Sequence, residues 1–152
     1  MQSKENEFPA ARLPSSEALS YLGDAVYSLY VREFLVSAGI SHAGELNRLA
    51  QLFVTAPRQA ALVKLIEANF TDWESDIYRR AYNHKGLKAP KHASYADYRA
   101  ATGLEAVLGA LYHIGKSERI HALLDEAHKE HIAIKDHEGT LSPKGNKNDS
   151  EN

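Results

Sequence analysis

There is no cysteine in this chain of 152 residues. That absence excludes a disulfide framework, thiolate-bound zinc and a cysteine nucleophile, and it fits a reducing cytosol. Long apolar runs are missing too. No stretch approaches the roughly 20 residues that cross a bilayer, and the opening MQSKENEFPAARLP has no apolar segment of the kind that directs secretion. The expectation is a cytoplasmic protein with no membrane partner. Sustained alternation of apolar and polar residues is a third absence, which removes strands and leaves an all-α fold class. The remaining composition, 43% hydrophobic and 25% charged, is that of an ordinary globular domain long enough to bury a core.

A formal net charge of -2 argues at first against a phosphate-rich partner, because phosphate binding draws on Lys and Arg. The distribution reverses that reading. Between residues 79 and 99 stand six basic residues, Arg79, Arg80, Lys85, Lys88, Lys91 and Arg99, against one acid, Asp97. A basic segment on an otherwise acidic chain is the footprint of a phosphate-binding face. Within RRAYNHKGLKAPKH the candidate contacts are Arg79, Arg80, Asn83, Lys85, Lys88 and Lys91, and the bland alternative is a solvated helix end and loop.

Helical punctuation recurs along the chain. Ser15 or Ser16 after Pro14 starts a helix over 16–38 that Gly39 closes. A shorter helix follows around HAGELNRLAQLF, and Thr55 is placed to cap the next, with Pro57 in its first turn. Thr71 and Glu74 form a T-x-x-E capping box for a helix reaching about Asn83. HKGLKAPKHA reads as a loop, Ser94 and Asp97 open a helix that runs to Gly115, and Ser117 opens a last one ending near His131. The expected organisation is an N-terminal extension 1–14, a domain 15–131, and a polar tail 132–152 expected to be disordered.

Two of these helices each carry an acid amid apolar residues. In LSYLGDAV, Leu19, Leu22, Val26, Leu29 and Tyr30 share one face at about 100° per residue, and Asp24 lies on the other side, flanked by Tyr27 and Val31. Gly23 lowers helix propensity by roughly 1 kcal/mol relative to Ala, a cost usually offset by close approach of another element. In the later helix Glu105 sits at the edge of a face made by Leu104, Val107, Leu108, Leu111 and Ile114, beside the small residues Ala101, Thr102, Ala106 and Gly109. Two such helices can bring both carboxylates into one cleft. Composition does not choose between Arg and Mg²⁺ as their partner, and a lone acid on an apolar helix is commonly half of an ion pair.

EALSYLGDAV at 17–26 resembles the signature E-x-L-E-F-L-G-D-A/S-V/I of the ribonuclease III catalytic domain, and ATGLEAVLGALY at 101–112 resembles its second acidic motif. The likeness runs over about residues 15–131 and is closest to the mini branch, which lacks a double-stranded-RNA-binding domain. The resemblance implies a dimeric helical bundle, with Asp24 and Glu105 as catalytic residues and metal ligands. It implies Mg²⁺ as cofactor, with Mn²⁺ able to substitute. It further implies a homodimer that cleaves double-stranded RNA, in maturation of large-subunit (23S) ribosomal RNA. Larger family members have acids at the positions of Ser20 and Thr102, so their absence here agrees with the mini branch and argues against a fully occupied second metal site. Glu17 matches a glutamate with a role nearer to substrate contact, and Tyr82 stands where the branch often has Arg. A catalytically inert ribonuclease III-like module that binds RNA or the ribosome is the alternative, and the presence of both acids speaks against it.

The histidines are a lesser lead. His121, His128 and His131 share part of the last helix without an accompanying carboxylate-histidine signature, and the preference for His⁺ at a helix C-terminus is sufficient explanation.

Overall fold

A computed structural model describes residues 12–136 apart from 87, 89, 90, 92 and 93, with side chains as far as residue 128. Residues 137–152 of the expected tail 132–152, most of the expected extension 1–14 and the side chain of His131 lie outside the described residues. Within them the chain forms α1 (Ser16–Ser37), α2 (Ala43–Phe53), α3 (Ala56–Ile66), a single 3₁₀ turn, α4 (Asp72–Tyr82), α5 (Tyr95–His113) and α6 (Ser117–Asp136), with no strand. The all-α expectation holds.

Local chemistry sets most of the helix ends. The Ala18 N–H donates to Ser15 Oγ at 3.2 Å, so Ser15 is the cap of α1. At its other end Gly39, with φ of 89°, lets the Ile40 N–H reach back to Leu35 O at 3.4 Å and satisfy a terminal carbonyl. The Thr71–Glu74 capping box forms in both directions. Thr55 is the N-cap of α3 with the extended backbone of a cap and Pro57 lies in the first turn, but the Thr55 side chain makes no capping hydrogen bond. The last helix continues past His131 to Asp136.

α5 is the axis of the molecule. It is buried on nearly every side, from Ala100 and Ala101 through Leu104, Val107 and Leu108 to Leu111, and α1, α3, α4 and α6 all pack on it. A helix apolar around most of its circumference belongs in the centre of a bundle. Its tightest partner is α1: a Cβ on Gly109 would stand 2.0 Å from Leu19 O, so only glycine allows the two backbones to touch.

That crossing also decides which way α1 faces. Its buried residues are Leu19, Ser20, Gly23, Tyr27, Tyr30, Val31 and Leu35. The expected face through Leu22, Val26 and Leu29 is therefore corrected. Leu22 and Val26 are half-buried and Leu29 is exposed, because α1 is apolar around much of its girth and the Gly23–Gly109 contact sets its rotation.

One buried charge braces the far end. Glu74 is wholly inaccessible, and its carboxylate accepts from the Thr71 N–H at 2.9 Å and from Arg119 at 2.8 and 3.1 Å. Arg119 also donates to Asn69 O at 2.7 Å, tying α6 to α4 and the 3₁₀ turn. Such a charge is tolerable because both carboxylate oxygens have donors, including a guanidinium of opposite charge.

Candidate active site

Gly23 faces α5 with no side chain, and the next residue, Asp24, emerges at the edge of the crossing. A Cβ on Gly23 would lie 1.6 Å from Glu105 O. The backbone of the second acid is therefore in contact with the residue before the first. Both carboxylates line one cleft of about 430 Å³, together with Glu17, Ser20, Tyr21, Gln59, His84 and Thr102. The expected meeting of the two acids is present.

Neither acid is joined to a Lys or Arg by the ion pairs among the described residues. Asp24 is exposed and Glu105 half-buried. Burial, and then the charge of Asp24, pushes the Glu105 carboxyl up from 4.5 to about 7, against a lowering hydrogen bond from Gln59. A half-buried carboxyl whose charged form is opposed by burial and by a neighbouring acid, in a concave site, is a setting that favours a cation.

Ser20 and Thr102, which stand in place of acids, are used structurally. Ser20 Oγ donates to Thr102 O at 3.0 Å and Thr102 Oγ1 donates to Tyr98 O at 2.9 Å. No group of three or more His, Cys, Asp or Glu residues capable of holding a metal occurs among the described residues. The donor set is nonetheless the right chemistry for a hard divalent ion, since Mg²⁺ commonly takes one or two carboxylates and fills its remaining positions with water and phosphate oxygens.

The basic segment divides. Arg79 and Arg80 sit on the last turn of α4 and both pair with Asp76, at 2.6 and 3.0 Å, which partly neutralises them. Arg99 turns away to lie over the Tyr95 ring, 4.2 Å from its centroid. Lys85, Lys88, Lys91 and Asn83 are exposed. The loop starts at the cleft rim, where His84 Nε2 meets Glu17 Oε1 at 2.8 Å.

Of the histidines, His128 needs a different explanation from a helix-end charge. It is 2% exposed, packed against the rings of Tyr30, Phe34 and Phe53, with Nδ1 donating to Leu124 O at 2.7 Å. Burial lowers its pKa, so it serves as a neutral aromatic filler. His121 is exposed. Two cleft residues, Gln59 and His84, carried no motif that sequence reasoning could use; each reaches the site only through the folding of its helix or loop.

The ribonuclease III domain family matches residues 17–115 of this chain. A mini-ribonuclease 3 of Symbiobacterium thermophilum is 43% identical over 109 residues, covering 72% of this chain and 84% of that protein. One from Enterococcus faecalis is 37% identical over 110 residues, covering 71% and 83% respectively. The crystal structure of a Fusobacterium nucleatum protein superposes with a TM-score of 0.70 at 28% identity, covering 81% of this chain and 99% of the other.

Proposed function

The chain belongs to the ribonuclease III family and is an endoribonuclease of that type, and from that premise we propose that it cleaves double-stranded RNA with Mg²⁺ held by Asp24 and Glu105. The observation that carries the assignment of the site is the pairing itself: two carboxylates without ion-pair partners among the described residues, in one cleft, with Gly23 against the Glu105 backbone. A divalent cation held there by Asp24 and Glu105 would neutralise phosphate charge and lower the pKa of a water.

The chain's own residues do the rest. Gly23 and Gly109 let α1 and α5 touch, which fixes the separation of the two carboxylates. Lys85, Lys88 and Lys91, exposed on the loop that follows the cleft residue His84, supply charge for the phosphates of a duplex, whose A-form offers a protein chiefly its backbone and 2'-hydroxyls. Arg79, Arg80 and Asn83 extend that face along the end of α4. Mn²⁺, with the same preference for oxygen donors, substitutes.

The working unit we propose is a homodimer, one site for each strand. Val26 and exposed Leu29 on α1 share a groove with Tyr112 of α5 and Ile120 of α6, and Leu29 and Tyr112 are 57% and 52% exposed. Apolar side chains gathered on one face favour burial against a second copy. A large-subunit ribosomal RNA precursor is the proposed substrate and the cytoplasm the proposed compartment; no helix among the described residues is long and apolar enough to cross a membrane.

The test is incubation of a long RNA duplex with the protein, with and without Mg²⁺, beside Asp24→Asn and Glu105→Gln. Cleavage by the wild type alone, and only with the ion, is expected. Equal survival of the duplex in every sample rejects catalysis and favours the inert module.

A further inference from the structure

Four polar or charged residues are buried among the described residues: Ser20, Gln59, Glu74 and His128. Three have structural reasons, namely the bond to Thr102 O, the Arg119 brace and the aromatic packing given above. Gln59 lacks one. It lies in the first half of α3, is 2% exposed and lines the cleft of Asp24 and Glu105. Its Oε1 has no hydrogen-bond partner. An unmet buried acceptor costs roughly 1–3 kcal/mol, and an apolar residue of similar volume avoids that cost. What an apolar residue lacks is the two N–H donors.

Those donors point to the site. One hydrogen of Nε2 serves Val54 O at 3.2 Å, and the side chain lines the same cleft as Glu105, whose carboxyl its amide draws back toward the ordinary range. Val54 closes the turn between α2 and α3, which is itself pinned by Tyr27 Oη donating to Phe53 O at 2.7 Å. The amide therefore stands on a fixed carbonyl, in a cleft it shares with a carboxylate that belongs to another helix. Its neutrality matters as much as its reach. An Arg or Lys in this place would neutralise Glu105 and displace a cation, whereas an amide orients the carboxylate and leaves its charge available.

We propose that Gln59 is a positioning residue for the cation site: its amide ties the α2–α3 junction to Glu105 and holds that carboxylate in the orientation that binds the ion. This rests on the reading of Asp24 and Glu105 as the cation ligands. Partners that orient a metal ligand typically account for 10–100-fold in metal affinity.

The test titrates Mn²⁺ into the full-length, RNA-free protein, following free Mn²⁺ by electron paramagnetic resonance, with thermal midpoints measured without metal. Gln59→Met removes both donors and the unmet acceptor at similar volume. The expected result is an unchanged or higher midpoint, a dissociation constant raised about 10-fold or more, and a lower kcat on duplex RNA with KM unchanged. Gln59→Ala removes the same donors and leaves a cavity, so a loss of Mn²⁺ affinity common to both variants separates the donors from packing. Wild-type affinity in both variants overturns the role of Gln59 and leaves the cation site standing. A lower midpoint or misfolding in Gln59→Met together with unchanged Mn²⁺ affinity in Gln59→Ala overturns it also, in favour of a structural brace. No Mn²⁺ binding by the wild type sinks the cation site itself.

Discussion

Gly23 lies so close to Glu105 that a Cβ on it would stand 1.6 Å from the Glu105 carbonyl oxygen and 2.9 Å from its Cα. Backbone cannot yield as a flexible side chain does, so Gly23→Ala must push α1 away from α5. The expected loss is at or above the upper end of the roughly 1–3 kcal/mol usual for overpacking, accompanied by loss of RNA cleavage. Urea denaturation and a cleavage assay check it. Gly44→Ala is the control, because nothing stands within 4 Å of that position in α2 and Ala is the better helix former by roughly 0.5–1 kcal/mol.

The Glu105 carboxyl, raised from 4.5 to about 7 by burial and by Asp24, makes stability depend on pH. Between those values the folded chain holds a proton that the unfolded chain has lost. Its stabilising contribution is thus complete below about pH 4.5 and is lost as pH rises through about 7. Without divalent metal, the thermal midpoint is expected to fall over that window, and Glu105→Gln is expected to flatten the fall and to be more stable than wild type at pH 8. Added Mg²⁺ should raise the wild-type midpoint more at pH 8 than at pH 5.5, since protons compete for the same carboxylate. A midpoint curve identical in wild type and Glu105→Gln would remove this carboxyl as the cause.

Lys85, Lys88 and Lys91 are exposed and, unlike Arg79 and Arg80, have no salt bridge to an acid among the described residues. Replacing all three with Ala is expected to weaken duplex binding and to reduce the slope of log K against log salt by on the order of 2, as fewer counterions are released. Binding isotherms at several salt concentrations with the Asp24→Asn protein isolate this from cleavage. An unchanged slope rejects the loop as the RNA contact.

Leu29→Lys and Tyr112→Lys place a charge in the apolar groove between α1, α5 and α6. Sedimentation is expected to show the wild type at twice the chain mass of 16.8 kDa and each variant shifted toward that single mass. A wild type that sediments as one chain rejects the homodimer.

Much was settled by residues acting locally. Caps such as Ser15 and the Thr71–Glu74 box, the closing Gly39, and the 3.6-residue period define helices within the chain itself, because hydrogen bonds three to five residues apart decide them. The two acidic motifs and the run of lysines were equally legible. What no local rule could supply was the phase of α1. Leu19, Leu22, Val26, Tyr27, Leu29, Tyr30 and Val31 leave almost no polar side, so periodicity alone allowed the wrong face, and the backbone contact of Gly23 and Gly109 with α5 chose the right one. The same holds for Arg79 and Arg80, partly neutralised by Asp76, for His128, buried among three rings, and for Gln59, brought beside Glu105 from another helix. The chain by itself determined which residues are helical and which carry the chemistry. Only the packing of α1 and α3 on α5 decided which of them meet, because burial, charge pairing and close approach depend on partners distant in the chain.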